Sequence, residues 1–341
     1  MTRTYVYIAN ADSRDMTVMQ LDSASGGLIP VETVALGGMA MPMALSGRSF
    51  GGKRILYAAL RSQPYRVVSL AIDPDTGRTT KLGEASLADS MANIDLDRTG
   101  RWLFAGSYGG HRITVNAVDA EGRVGAVHQV MASGPNVHAV HVDPANRFVY
   151  ATSLGADAIT SWRFDATTGL LAASDPPHTA NPPHTGRRHF VTDAGHRRLY
   201  VLCEHDASVG VYECDAERGA LLEVQRVSAL PPGFEGKAWA ADLHLSPGGR
   251  HLYASERRTH TIAVFDVDVV SGRLKATANV ATEKAPRGFA IDSSGRYLIV
   301  AGQESHHVTV HAVDGDSGRL VPLQRYPVGQ GPNWIEIATF D

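Results

Sequence analysis

Short runs of alternating apolar and polar residues fill the chain, and turn-forming residues separate them. Between positions 138 and 164, HAVHVD, FVYATS and AITSWRF have the composition of strands, and PANR and LGAD have that of turns. A fourth run, LLAAS, follows an Asp-to-Gly turn. The pattern predicts a unit of four antiparallel strands, which we label a to d in chain order.

The Asp-to-Gly turn recurs along the whole chain, at steps of 46 to 53 residues. A period of this length is typical of an array of repeated supersecondary units. The turn lies between strands c and d of each unit, where we expect its Asp side chain to accept backbone N–H groups. The residues that begin these turns are Asp22, Asp73, Asp119, Asp165, Asp215, Asp268 and Asp314.

The repeat predicts an all-β fold, a seven-bladed β-propeller that forms one domain over residues 1–341. Six complete units are recognised by an Arg that opens strand b, and the seventh is assembled from both ends of the chain. Its strands b, c and d are RTYVYIAN, MTVMQLD and GLIPVE, and its innermost strand is WIEIATF at the C-terminus. Such closure leaves no exposed sheet edge. The six arginines are Arg54, Arg101, Arg147, Arg197, Arg250 and Arg296.

Charge argues against nucleic acid and membranes as partners, since 32 basic and 35 acidic residues are spread without a basic block. No apolar run approaches the roughly 20 residues of a membrane span. The N-terminal MTRTYVYIAN lacks the features of a signal peptide. Cys203 and Cys214 are expected to be reduced thiols, with a disulfide across a hairpin as the alternative. These features favour a cytoplasmic enzyme or binding protein.

The predicted register brings a set of charged residues to one mouth of the central channel. Residues that begin strand a and residues that end strand b reach the same rim of the ring. Several arginines that face a carboxylate and an imidazole there indicate a site for an anionic ligand. The alternative is that these charges only join neighbouring blades. The set is His138, Arg188, Glu204 and Arg287, with Arg61 and Arg257 as outer members.

Other chemistries have weaker signals. His306 and His307 are adjacent in a strand and therefore point to opposite faces, which does not suit a metal site. No G-x-S-x-G sequence is present, and VGQGPNW is followed by a strand rather than the helix of a phosphate loop. We predict neither a metal ion nor a cofactor.

Three long strings resemble the bacterial propeller-type 6-phosphogluconolactonases. They are KAWAADLHLSPGGRHLYASER (237–257), APRGFAIDSSGRYLIVAGQESHHVTVHAV (285–313) and YPVGQGPNW (326–334). TYVYIA, GRWLFAGSY and RRHFV extend the resemblance over essentially the whole chain. Arg187 stands where that family has Pro, and the Pro- and His-rich segment 174–188 is also a departure.

The resemblance implies hydrolysis of 6-phospho-D-glucono-1,5-lactone to 6-phosphogluconate without a metal. The wider superfamily includes fungal carboxy-cis,cis-muconate cyclases, whose His, Glu and two Arg match His138, Glu204, Arg188 and Arg287 by motif. The implied base is Glu204 or His138, and the two arginines would bind the oxyanion. The remaining candidates for substrate binding are Arg61, Arg257, Lys237, Asp242 and Gln303.

Three alternatives stay open at the level of sequence. The substrate could be another, unphosphorylated sugar lactone. The reaction could be a lactone-forming cycloisomerisation of an unsaturated diacid. The chain could also be a non-catalytic propeller that presents an interaction surface. The partner predicted in the first two cases is a small molecule, and the oligomeric state is not predicted.

Overall fold

The computed structural model describes residues 2–180 and 182–341, and these contain seven sheets of four antiparallel strands each. In chain order the strands are β1 (Arg3–Asn10), β2 (Asp15–Leu21), β3 (Leu28–Ala35); β4 (Ala40–Leu45), β5 (Ile55–Leu60), β6 (Arg66–Ile72), β7 (Thr79–Ser86); β8 (Met91–Leu96), β9 (Trp102–Ser107), β10 (Arg112–Val118), β11 (Val124–Ala132); β12 (Val137–Val142), β13 (Phe148–Ser153), β14 (Ala158–Asp165), β15 (Leu170–Ala180); β16 (Arg187–Thr192), β17 (Arg198–Cys203), β18 (Ser208–Cys214), β19 (Leu221–Ser228); β20 (Ala240–Leu245), β21 (His251–Glu256), β22 (Thr261–Val267), β23 (Leu274–Ala281); β24 (Pro286–Ile291), β25 (Tyr297–Gly302), β26 (His307–Val313), β27 (Leu320–Pro327); and β28 (Pro332–Phe340).

The ring is closed by its two ends, as the sequence predicts. β28 pairs antiparallel with β1, with Val6 opposite Ile337 and Ile8 opposite Ile335. The strand order of this sheet is β28, β1, β2, β3, so its innermost strand comes from the C-terminus. The prediction of a seven-bladed all-β propeller is confirmed. Within the described residues, no helix has the length and apolarity needed to cross a membrane.

The core lies between adjacent blades, and both faces of each blade are buried. On β5, Leu56 packs toward the blade of β1 while its neighbour Tyr57 packs toward the blade of β8. Alternate residues of a strand point to opposite faces, so a strand covered on both sides needs apolar residues throughout. For this reason all six residues of β5 are buried.

The repeated Asp-to-Gly turns also lock neighbouring blades together. In each turn the Gly N–H donates to the Asp carbonyl, and the Gly has a φ between 67° and 84°. A Cβ on Gly77 would lie 2.2 Å from the ring of Tyr5 in the preceding blade, and Tyr7 donates a hydrogen bond of 2.9 Å to the Gly77 carbonyl. The side chain of Asp73 accepts backbone N–H groups of the turn, as predicted. The turn residue must therefore be Gly because of the neighbouring blade as well as its own φ.

Both cysteines are free thiols. Cys203 is fully buried, and its Sγ accepts a hydrogen bond from the Arg187 guanidinium at 2.8 Å. No disulfide joins the two cysteines, and their reduced state in the cell stays a prediction.

Candidate active site

A bulge opens the innermost strand of every blade. The pairing with strand b is interrupted between Val137 and Ala139, between Arg187 and His189, and at the equivalent point of the other five sheets. A bulge adds a residue that has no partner on the next strand, and it re-aims the side chain. The extra residues include His138, Arg188 and Arg287, which therefore share one level of the channel mouth.

Glu204 is held between two arginines. It follows β17, and its Oε2 accepts hydrogen bonds from Arg188 Nε at 2.7 Å and from Arg257 at 3.0 Å. Burial by itself raises the pKa of this carboxyl, but Arg188 and Arg257 outweigh burial and leave the pKa below its ordinary value. Glu204 is therefore an anion that neutralises part of the local positive charge.

Most donors of Arg257 are used by the protein itself. Its Nε donates to the Trp239 carbonyl at 2.9 Å, and its guanidinium lies 3.8 Å from the centre of the Trp239 ring. A further bond of 3.0 Å goes to the Ala240 carbonyl. Arg188 likewise donates to the Ala241 carbonyl in addition to Glu204. These two arginines are fixed in place before any ligand binds.

Arg287 has no such partners. Within the described residues its guanidinium makes no hydrogen bond and no ion pair, and burial together with Arg188 and Arg61 lowers its pKa to about 9. Arg61 donates to Ser90 Oγ at 3.0 Å, and burial and Arg188 lower its pKa as well. The mouth thus holds four guanidinium groups against the carboxylate of Glu204, with that of Asp242 below it, an excess of positive charge that an anionic ligand would relieve.

His138 is a buried, neutral imidazole beside this cluster. Burial, followed by the charges of Arg188 and Arg287, holds its pKa well below the ordinary value for histidine. Its ring centre lies 5.8 Å from that of Tyr108 and 5.1 Å from that of His189. Its Nδ1 is buried and has no hydrogen-bond partner within the described residues. A neutral imidazole can accept a proton, which a salt-bridged carboxylate does poorly.

Asp242 lies deeper in the channel than the mouth cluster. Its two carboxylate oxygens accept hydrogen bonds from His189 Nδ1 at 2.8 Å and from His244 Nε2 at 3.1 Å. Burial disfavours the anion, but His244 and His189 hold the pKa of Asp242 well below its usual range. The oxygens predicted to bind substrate are therefore already engaged with two histidines.

A cavity lies on the far side of this layer. It has a volume of about 480 Å³ and extends from His189 and Asp242 to the ends of the innermost strands at Thr192 and Ile337. His138, Arg188 and Arg287 do not line it. The charged cluster and the cavity are thus separate levels of one channel, and of the residues that the sequence predicted only Asp242 lines the cavity.

The other predicted residues are less closely connected to the cluster. Lys237 is exposed in the segment before β20 and has no hydrogen bond or ion pair within the described residues. Gln303 carries a buried Oε1 without a partner in that same part of the chain. Their roles stay predictions.

The two departures from the family pattern, the 174–188 segment and the side chain of Arg187, make different contacts in the structure. In the 174–188 segment, the described backbone N–H groups of His184 and Gly186 both donate to Asp157, which anchors the end of the segment to the loop before β14. Arg187 is fully buried and pairs with Glu223 at 3.6 Å, away from the mouth cluster.

Within residues 2–180 and 182–341, no group of three or more His, Cys, Asp or Glu side chains is arranged to hold a metal ion. The mouth cluster itself provides a neutral imidazole, a carboxylate and several guanidinium groups.

Comparison with known proteins gives a consistent result over the whole chain. The model of the lactonase family of seven-bladed β-propellers matches residues 3–337. A 6-phosphogluconolactonase of Pectobacterium carotovorum is 38% identical over 336 residues, which cover 98% of this chain and 99% of that protein. A 6-phosphogluconolactonase of Yersinia pestis is 36% identical, with 97% of each chain covered.

Solved structures give the same fold. The periplasmic gluconolactonase PpgL of Pseudomonas aeruginosa has a TM-score of 0.89 and 28% identity, with 99% of both chains covered. A putative 6-phosphogluconolactonase from Bacteroides fragilis has a TM-score of 0.87 at 22% identity, with 98% of both chains covered, and supports the fold alone.

Proposed function

Because the chain belongs to the lactonase family of seven-bladed β-propellers, we propose that it hydrolyses 6-phospho-D-glucono-1,5-lactone to 6-phosphogluconate. It is a lactone-hydrolysing enzyme, and the specific substrate is carried over from relatives named 6-phosphogluconolactonase. That substrate places it in the oxidative pentose phosphate pathway and implies a cytoplasmic location.

One observation carries the proposal: the mouth holds more positive charge than its own carboxylate neutralises. Arg287 has no partner within the described residues, and burial, followed by Arg188 and Arg61, lowers its pKa. A ligand that brings a phosphate, and that becomes a carboxylate on reaction, would supply the missing negative charge. Substrate, tetrahedral intermediate and product are all anions, so the same arginines can stabilise each of them.

We assign the role of general base to His138. The Oε2 of Glu204 already accepts hydrogen bonds from Arg188 and Arg257, so this oxygen is engaged before water arrives. His138 is neutral, so Nε2 can take a proton from water while the water oxygen bonds to the lactone carbonyl carbon. The resulting oxyanion is stabilised by Arg287 and by the free donor of Arg188.

The second half of the reaction returns the proton. The C–O bond of the lactone ring breaks as the oxyanion collapses, and the protonated His138 gives its proton to the departing ring oxygen. The new carboxylic acid loses its own proton to solvent, so the enzyme ends in its starting state. Glu204 holds Arg188 in place throughout.

The phosphate would be bound by Arg61 or Lys237 rather than Arg257. The donors of Arg257 are committed to Glu204 and to the carbonyl groups of Trp239 and Ala240. Arg61 uses its Nε on Ser90 and a terminal nitrogen on the sulfur of Met41 at 3.8 Å, a weak contact that a phosphate can displace.

An unphosphorylated gluconolactone is the second candidate substrate. The observation that favours it is the likeness to the Pseudomonas aeruginosa gluconolactonase at 28% identity over 99% of both chains. The two candidate substrates differ only in whether they bring a phosphate for Arg61 or Lys237 to bind.

The test is a panel of lactones followed by pH-stat, with spontaneous hydrolysis subtracted. We expect 6-phosphogluconolactone to have the highest kcat/KM. His138→Ala and Glu204→Gln should each lower kcat by at least about tenfold. The matched controls His178→Ala and Glu235→Gln alter exposed residues and should leave kcat unchanged. Equal rates for phosphorylated and unphosphorylated lactones would overturn the substrate assignment, and unchanged turnover of both site variants would overturn the site.

A further inference from the structure

Asp242 and His189 are hydrogen-bonded to each other below the mouth. This contact determines which ring nitrogen of His189 carries a proton. Asp242 is a carboxylate, and a carboxylate can only accept hydrogen bonds. The ring nitrogens that face it at 2.8 Å and 3.1 Å, His189 Nδ1 and His244 Nε2, must therefore both carry protons.

His189 is consequently left with a lone pair on its other nitrogen. Burial, with Arg188 as the next cause, lowers the pKa of His189 to about 4, so the ring is neutral near pH 7. Its Nε2 is buried and has no hydrogen-bond partner within the described residues. A buried acceptor without a partner is costly, which makes this nitrogen a feature that calls for a function.

The neighbouring ring of His138 carries another buried nitrogen without a partner. His138 Nδ1 is also buried and without a partner in the described part of the chain, and the two ring centres are 5.1 Å apart. Two imidazoles joined by a linear N–H···N bond have centres about 5 Å apart, since each nitrogen lies about 1.1 Å from its ring centre. The spacing of the two ring centres is thus that of a hydrogen-bonded pair of imidazoles.

We propose that Asp242 and His189 are positioning residues that hold the proton of His138 on Nδ1 and its lone pair on Nε2. In that tautomer His138 presents an acceptor to the attacking water, and the two buried unpaired nitrogens satisfy each other. The inference rests on the proposed function, because it names the residues that prepare the proposed base. Neither residue needs to touch the substrate.

His244 provides the matched control. It binds the other oxygen of the same carboxylate, and unlike His138 it lines the cavity of about 480 Å³. A variant of His244 removes one partner of Asp242 but leaves the connection from Asp242 to His189. The two sides of one carboxylate can therefore be compared in one protein.

The kinetic experiment compares Asp242→Asn with His244→Gln in the full-length protein. An Asn side chain can donate to His189 Nδ1, which would move the proton to Nε2 and reverse the tautomer of His138. In the catalytic triad of serine proteases, the equivalent Asp-to-Asn change costs about 10⁴-fold in kcat. We expect Asp242→Asn to lower kcat by at least about 100-fold with KM within about threefold, and His244→Gln to keep kcat within about threefold. Equal losses in the two variants, or a loss confined to KM, would overturn the proposal.

A second measurement does not depend on activity. Nitrogen-15 NMR of the imidazole rings in the unmodified protein should show His189 protonated on Nδ1 and bare on Nε2, with the reverse in Asp242→Asn. A His189 protonated on Nε2 in the unmodified protein would refute the pairing whatever the enzyme hydrolyses. Absence of any lactonase activity together with the expected tautomer would refute the proposed function and leave the pairing in place.

Discussion

Replacing Arg287 by Gln should make the protein more stable and inactive. The guanidinium has no partner within the described residues, and burial with Arg188 and Arg61 lowers its pKa well below the ordinary value, to about 9. Each unit of pKa shift corresponds to about 1.4 kcal/mol, so the upper bound on the cost of this charge is ~5 kcal/mol. Water in the channel screens the repulsion, and we expect a gain in the free energy of unfolding of about 2 kcal/mol.

The assay is urea unfolding at neutral pH, paired with the lactone assay on the same samples. Glu204→Gln is the companion variant with the opposite expectation. It leaves Arg188 and Arg257 without their carboxylate, which should lower the free energy of unfolding by about 3 kcal/mol. Stability would thus rise in one inactive variant and fall in the other.

Two results would refute this reasoning. A loss of stability in Arg287→Gln would show that its charge is compensated in the folded protein. Retention of more than about a third of kcat would show that the uncompensated charge has no catalytic use. The expected combination, a stability gain with a loss of activity, is typical of a residue retained for function.

The remaining predictions concern the pH dependence of activity and stability, and the contacts between neighbouring blades. Burial, Arg188 and Arg287 lower the pKa of His138, and the negative charge of a bound phosphorylated lactone should raise that pKa again. The acid limb of the pH profile of kcat should therefore lie at higher pH than the acid limb of kcat/KM. Acid limbs at the same pH would contradict this prediction. Burial raises the pKa of Glu336 from 4.5 to about 7, so the folded state favours the neutral acid and stability is lost as pH rises through that window. Glu336→Gln should be more stable than the unmodified protein by up to about 3 kcal/mol at pH about 8 and equal to it at pH about 4, as urea unfolding can check. Gly77→Ala should lower the free energy of unfolding by at least about 2 kcal/mol, because the added Cβ would meet the ring of Tyr5. Gly47→Ala is the control and should have little effect, because no atom lies within 4 Å of its added Cβ. Similar losses in both variants would argue that the Asp-to-Gly turn does not lock neighbouring blades together.

The blade number and the closure could be predicted because they depend on short-range pattern. Alternating apolar residues, the Asp-to-Gly turns and the missing innermost strand at the N-terminus are local features of the sequence. The same register predicted that His138, Arg188 and Arg287 lie at equivalent positions, and in the structure each lies in the bulge that opens its strand. The bulge itself has no separate sequence signal here.

The partners within the site could not be predicted in this way. Arg257 was a candidate for binding substrate, but its donors meet Glu204 and two carbonyl groups. Asp242 was a candidate for binding substrate, but its oxygens meet His189 and His244. His189 was not a candidate at all, although it directly follows Arg188 in the sequence.

The sequence by itself determined the scaffold and the level of the channel at which charged residues gather, because strand alternation and turn chemistry act over a few residues. Only the tertiary structure decided which charge neutralises which and which nitrogen is left without a partner. These depend on distances across the ring between residues of different blades, such as Glu204 and Arg257 or His189 and Asp242. Such distances are set by the twist and packing of the blades, and no local pattern encodes them.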